Sequence, residues 1–130
     1  MKPDISGAPD GPFRQVFANG VTAAEGEVCG GRKTGHWRHY FKDGSLQAEG
    51  EYRDDAPDGP WIWNRADGGR LQEGTFVEGK QSGLWRRWHA GGALMDEGLY
   101  EAGRRVGVWR SFGPGGEPRA EKRYRASPQE

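Results

Sequence analysis

One spacing governs this chain: a glycine opens a new unit every 24 residues, at Gly11, Gly35, Gly59, Gly83 and Gly107. A short fixed period restricts the fold to an array of small units that bury their apolar faces against one another. Two residues after each opening glycine stands a ring: Phe13, Trp37, Trp61, Trp85 or Trp109. Each unit also carries a glutamate, at Glu25, Glu49, Glu73, Glu97 and Glu121. A glycine follows it in four units (Gly26, Gly50, Gly74, Gly98), and Lys122 follows in the fifth. A bulky residue closes each unit: Val28, Tyr52, Phe76, Tyr100 or Tyr124.

The turn residues decide between helix and strand. Asn19-Gly20, Asp43-Gly44, Asp67-Gly68, Gly91-Gly92 and Gly115-Gly116 sit midway through the units. Such dipeptides suit a type I′ hairpin turn. Glycine recurs too often for helix, and no apolar stripe at helical spacing persists. Between units, Gly31-Arg32, Gly79-Lys80 and Gly103-Arg104 suit a type II′ turn. The predicted fold is all-β: a single-layer, twisted antiparallel meander of about five stacked β-hairpins. The repeat domain spans residues 11–125, between a disordered amino-terminal tail (1–10) and a carboxy-terminal tail (126–130).

Centring the turns sets the register. Trp37 falls opposite Gly50 and Arg38 opposite Glu49. Phe13/Gly26, Trp61/Gly74 and Trp85/Gly98 follow, as do Arg14/Glu25, Arg86/Glu97 and Arg110/Glu121. Ile62 breaks the arginine column opposite Glu73. A glycine inside a strand weakens it unless something fills the space above, and an indole can do so. The Arg and Glu columns then form a ladder on the other face, because side chains alternate. Each ladder pair is expected to contribute ~0–1 kcal/mol. Truncation of a covered central Trp costs about 3–5 kcal/mol. The third unit has Asn64 in place of a ring, and its Leu71 is shifted beside Gly69, which predicts a bulge there.

Gly35, Trp37, Tyr40, Asp43-Gly44, Leu46, Glu49-Gly50 and Tyr52 resemble the MORN (membrane occupation and recognition nexus) repeat family, in its bacterial variant. Gly83, Trp85, Trp88, Gly92, Leu94, Glu97-Gly98 and Tyr100 resemble it nearly as well. The resemblance covers roughly residues 11 to 125. It implies an elongated sheet of stacked hairpins with a scaffolding or binding role. Many bacterial members of this variant are labelled antitoxins, which implies a protein that masks a cognate toxin or effector. The family name implies a peripheral lipid-binding module as the alternative.

Composition narrows the classes. Lys and Arg number 19 and so do Asp and Glu, giving no net charge. A nucleic-acid binder normally carries a basic surplus on one face. A polybasic membrane-surface module needs the same, so both are disfavoured against a protein partner. Cys29 is the one cysteine, and Met1 to Asp10 holds no apolar run. The expected setting is therefore reducing and cytoplasmic.

No catalytic constellation emerges, and no cofactor or metal is expected. His36 and His39 point to opposite faces of a strand, and His89 lies far away, whereas structural zinc wants four converging ligands. Five equivalent glutamates beside arginines are a ladder rather than an acid–base pair. The reading is a non-enzyme. The rings that exceed structural need are the candidate partner-binding residues: Tyr40, Trp88 and Phe112 on the charged face, with Ile62 and Trp63. Hot spots favour Trp, Tyr and Arg. A second copy of the chain, as a homodimer, is the other cover for them.

Overall fold

Turn-forming pairs cut the chain into ten strands, and each strand bonds only its sequence neighbours. A computed structural model describes residues 3–125; the tail expected at 126–130 lies outside the described residues, as do residues 1 and 2. The strands are β1 (Gly11–Val16), β2 (Thr22–Cys29), β3 (Arg32–Tyr40), β4 (Leu46–Arg53) and β5 (Ala56–Asn64). Then come β6 (Arg70–Val77), β7 (Lys80–Trp88), β8 (Leu94–Glu101), β9 (Arg104–Phe112) and β10 (Pro118–Tyr124). They form one open antiparallel meander in chain order. No helix among the described residues is long and apolar enough to cross a membrane.

The register matches the sequence reading at every ring and ladder position. Trp37 faces Gly50, Arg38 faces Glu49, Trp85 faces Gly98, and Ile62 faces Glu73. The turn types, however, differ from the expected ones at both kinds of connection. Asp43 does not take positive φ; Gly44 does, at 91°. Gly44 N donates to Phe41 O at 2.9 Å and Phe41 N to Ser45 O at 2.8 Å. This is a type I turn closed by a glycine bulge, a three-residue loop. The connections between units are the type I′ turns. Asp54 and Asp55 both take positive φ (49° and 71°), as do Glu78-Gly79 and Ala102-Gly103.

The expected register survives because two offsets cancel. The three-residue loop pairs Tyr40 with Leu46, and Gln47 is then left unpaired before His39 meets Ala48. Every hairpin repeats this step, so the bulge expected in the third unit is common to all five. A wider irregularity separates the units. Between Gly50↔Trp61 and Tyr52↔Pro57, three residues face the single Glu51. Gly59 takes φ of 89° there, which explains why glycine opens the unit.

The core is the row of rings, and each indole belongs to two hairpins. A Cβ at Gly50 would lie 2.2 Å from Trp61 Cδ2; one at Gly74 would lie 2.0 Å from Trp85. Gly26 sits likewise under Trp37, and Gly98 under Trp109. The cover therefore comes from the next unit, not from the partner strand within the hairpin. Each indole N–H reaches a backbone oxygen of the preceding unit beside the bulge. Trp61 donates to Glu51 O at 2.9 Å, Trp109 to Leu99 O at 3.0 Å, and Trp37 and Trp85 to Glu27 O and Thr75 O at 3.1 Å. A buried N–H thus meets an acceptor released from the ladder.

Candidate functional site

The sheet presents two faces of different chemistry. On the ring face the tryptophans alternate with the closing residues of the units. Tyr52 meets Trp37 and Trp61 edge-on at 6.0 and 5.1 Å. Phe76 meets Trp85 at 5.1 Å, and Tyr100 meets Trp109 at 5.1 Å. A second row fills the gaps between indoles. His39 stacks between Trp37 and Trp61 at 6.2 and 6.3 Å. Trp63 lies between Trp61 and Trp85 at 5.7 Å from each. Arg87 follows in that row, bonded through two nitrogens to buried Asp96 at 3.0 and 2.5 Å.

His39 is 1% exposed, and neither ring nitrogen has a hydrogen-bond partner. Burial, aided by the positive charge of Lys33, pulls its pKa from 6.5 down to about 4. The imidazole is therefore a neutral spacer in the ring stack at pH 7. Residues 3–10, read from sequence as a tail, lie against this face: Ile5 and Ala8 pack on the cluster of Ala24, Val28 and Trp37. Asp10 Oδ1 accepts from Gly30 N at 2.8 Å.

The ladder face carries the ion pairs. Arg38–Glu49, Arg86–Glu97 and Arg110–Glu121 close at 3.2, 2.9 and 3.2 Å. Arg14 and Glu25 face each other but bond elsewhere: Arg14 donates to Thr22 at 2.8 Å, and Glu25 accepts from the Tyr40 hydroxyl at 2.7 Å. Burial and that carboxylate push the Tyr40 phenol up to about 12. Glu73, opposite Ile62, takes Arg70 at 2.8 Å instead. His36 bonds Glu49 at 2.7 Å and approaches Glu51 at 3.7 Å; the His36 hydrogen bond is the main cause of a lowered Glu49 pKa.

Four of the five candidate partner-binding residues share this face by strand alternation: Tyr40, Ile62, Trp88 and Phe112, all half-buried. Tyr40 is engaged by Glu25. Trp63 is not with them; it stands in the ring stack. The sequence reading missed Leu84 and Leu99, which face each other across β7 and β8 and are 45% and 47% exposed. The signal was available, since they alternate with Trp85 and Gly98 in the same register. His36 and Glu51 hold the corresponding places two units earlier.

No group of three or more potential metal ligands converges among the described residues. His36 lies on the ladder face and His39 in the ring stack, while His89 Nε2 lies 2.8 Å from Phe112 O. Cys29 is exposed. No curated protein matches the chain. Residues 33–54, which span the β3–β4 hairpin, match the family described as MORN repeat variant, and this similarity supports the MORN repeat family for that unit.

Proposed function

We propose that the protein is a non-enzymatic binding module that holds a protein partner against the ladder face of its later hairpins. One observation carries this reading. The cross-strand pair that is His36–Glu51 in the second hairpin is Leu84–Leu99 in the fourth, exposed by nearly half. Nothing in the sheet needs leucine there, since the charged pair serves the same geometry. The leucine pair on one side and Trp88 with Phe112 on the other flank the charged row of Arg86–Glu97 and Arg110–Glu121, so this face offers a partner apolar contacts on both sides of a band of ion pairs. The most specific form of the reading is masking of a cognate toxin or effector; its support is the family resemblance.

The test is co-expression with the product of the adjacent reading frame. The expected result is co-elution and relief of toxicity, both lost in Leu84→Asp/Leu99→Asp while the denaturation midpoint holds. Salt-sensitive sedimentation with anionic vesicles, and no protein partner, would replace this reading with a lipid-binding one.

A further inference from the structure

We infer that the open edge of β1 takes an added antiparallel strand: an extended segment of a partner protein that carries Glu-Gly in the register of the array's own joints. This surface is a strand edge, separate from the ladder face of the later hairpins. The two edges of the sheet are built differently. β10 is exposed at every position but Tyr124 and carries Arg119, Glu121, Lys122 and Arg123. Charges of that density, with Pro118 at the start, blunt an edge against pairing. β1 has one charged residue, Arg14. Its Pro12 is no barrier, because Pro60 holds the same column within an interior strand. Residues 3–10 turn away at Ile5–Ala8, and Ile5 and Ala8 pack on Ala24, Val28 and Trp37 of the ring face. Pro12, Arg14 and Val16 stay exposed.

What the edge lacks defines the occupant. Inside the sheet, Gly26 lies beneath Trp37 while Glu25 faces Arg38, and Gly98 lies beneath Trp109 while Glu97 faces Arg110. Phe13 and Arg14 hold the ring and arginine places of this joint on β1, and no strand lies on their outer side among the described residues. Phe13 leans on Trp37 at 5.8 Å and keeps the ring of the joint without its N–H. Arg14 is in no ion pair among the described residues. Across its own hairpin Glu25 is held by Tyr40, and Arg14 reaches Thr22 instead. The backbone agrees. Phe17 N donates inward to Val21 O, so alternation points the N–H and C=O of Arg14 and Val16 outward. Val16 is 52% exposed there. The β10 edge of a second copy is a poorer fit: its Glu121 would meet Arg14, but Lys122 puts a side chain where bare backbone belongs. Main-chain bonds give an added strand its hold, and Glu and Gly give the edge its choice of sequence.

The probe is a synthetic peptide of residues 46–53, Leu-Gln-Ala-Glu-Gly-Glu-Tyr-Arg, titrated into the full-length, ¹⁵N-labelled chain. The expected result is saturable movement of the β1 amide signals, with hydrogen exchange at Arg14 and Val16 slowed at least about tenfold at saturation. Gly50→Val in the peptide abolishes binding, because the new side chain claims the space of the Phe13 ring. Glu49→Gln in the peptide, or Arg14→Gln in the chain, weakens it roughly tenfold. The peptide variants serve if the chain variant unfolds. Binding indifferent to Gly50→Val, slowed exchange on β10 instead, or no saturable movement overturns the proposal. Shifts confined to β3 and β5, which flank β4 in the sheet, overturn it by showing exchange into the array. Concentration-dependent self-association of the chain alone, abolished by Arg14→Gln, also overturns it, by assigning the edge to a second copy. Leu84→Asp/Leu99→Asp leaves this titration unchanged, so the two surfaces succeed or fail separately.

Discussion

The inner hairpins and the two terminal ones obey the repeat to different degrees, and the structure accounts for the difference. Inside the array, Gly26, Gly50, Gly74 and Gly98 each lie beneath the indole of the following unit. Among the described residues no further indole follows the fifth unit, and Lys122 stands there, paired with Trp109. No strand precedes β1 among the described residues to offer a carbonyl to an indole N–H, and Phe13 stands there. Glycine and tryptophan are thus two halves of a joint between units. Where the joint is absent, both residue types are released.

The largest effect expected from this contrast is Gly50→Ala. Its methyl would intrude on Trp61, where backbone and indole are both fixed, and the loss should be at least about 3 kcal/mol in urea denaturation. Lys122→Ala, at the equivalent place without a joint, should stay within about 0.5 kcal/mol. Equal losses would remove the distinction.

Trp61→Phe should follow at about 2 kcal/mol, from the stranded Glu51 carbonyl and the smaller ring. Phe13 already shows that phenylalanine suffices where no carbonyl waits. The interior also contains a titratable spacer that the first hairpin lacks: His39 between two indoles, against Gln15 at its end. A folded-state pKa of about 4 against an ordinary 6.5 means full stability above pH 6.5, lost as pH falls toward 4. The loss between pH 7 and 5 should be about 2 kcal/mol, and His39→Phe should abolish that slope. The smallest change is Arg86→Ala on the ladder face. Its pair with Glu97 is part-exposed, so the change should not exceed about 1 kcal/mol.

Much of this was legible in the chain. Ring over glycine and arginine beside glutamate follow from the 24-residue period and the turn positions. The turn chemistry did not follow, because Asp-Gly serves two turn types and only the φ of Asp43 separates them. The register came out right because the unpaired Gln47 offsets the one-residue shift that the three-residue loop introduces. The leucine pair escaped a reading built on recurrence: Pro12, His36, Pro60, Leu84 and Val108 share one column without sharing a chemistry. Residues 3–10 escaped for the same reason, since Ile5 and Ala8 belong to no repeat. The leucine pair lies where the pattern stops repeating, which is where a fold leaves room for specificity.

The indole-to-carbonyl joint has a further consequence for how such a chain changes size. Every interior junction presents the same socket and the same plug, so a whole unit can be duplicated or excised between Asp58 and Gly59 without creating a new kind of seam. Two strands at the usual spacing add about 10 Å per unit. The distance between the first and fifth hairpins is therefore a quantity that inheritance can adjust in uniform steps, leaving the terminal hairpins untouched.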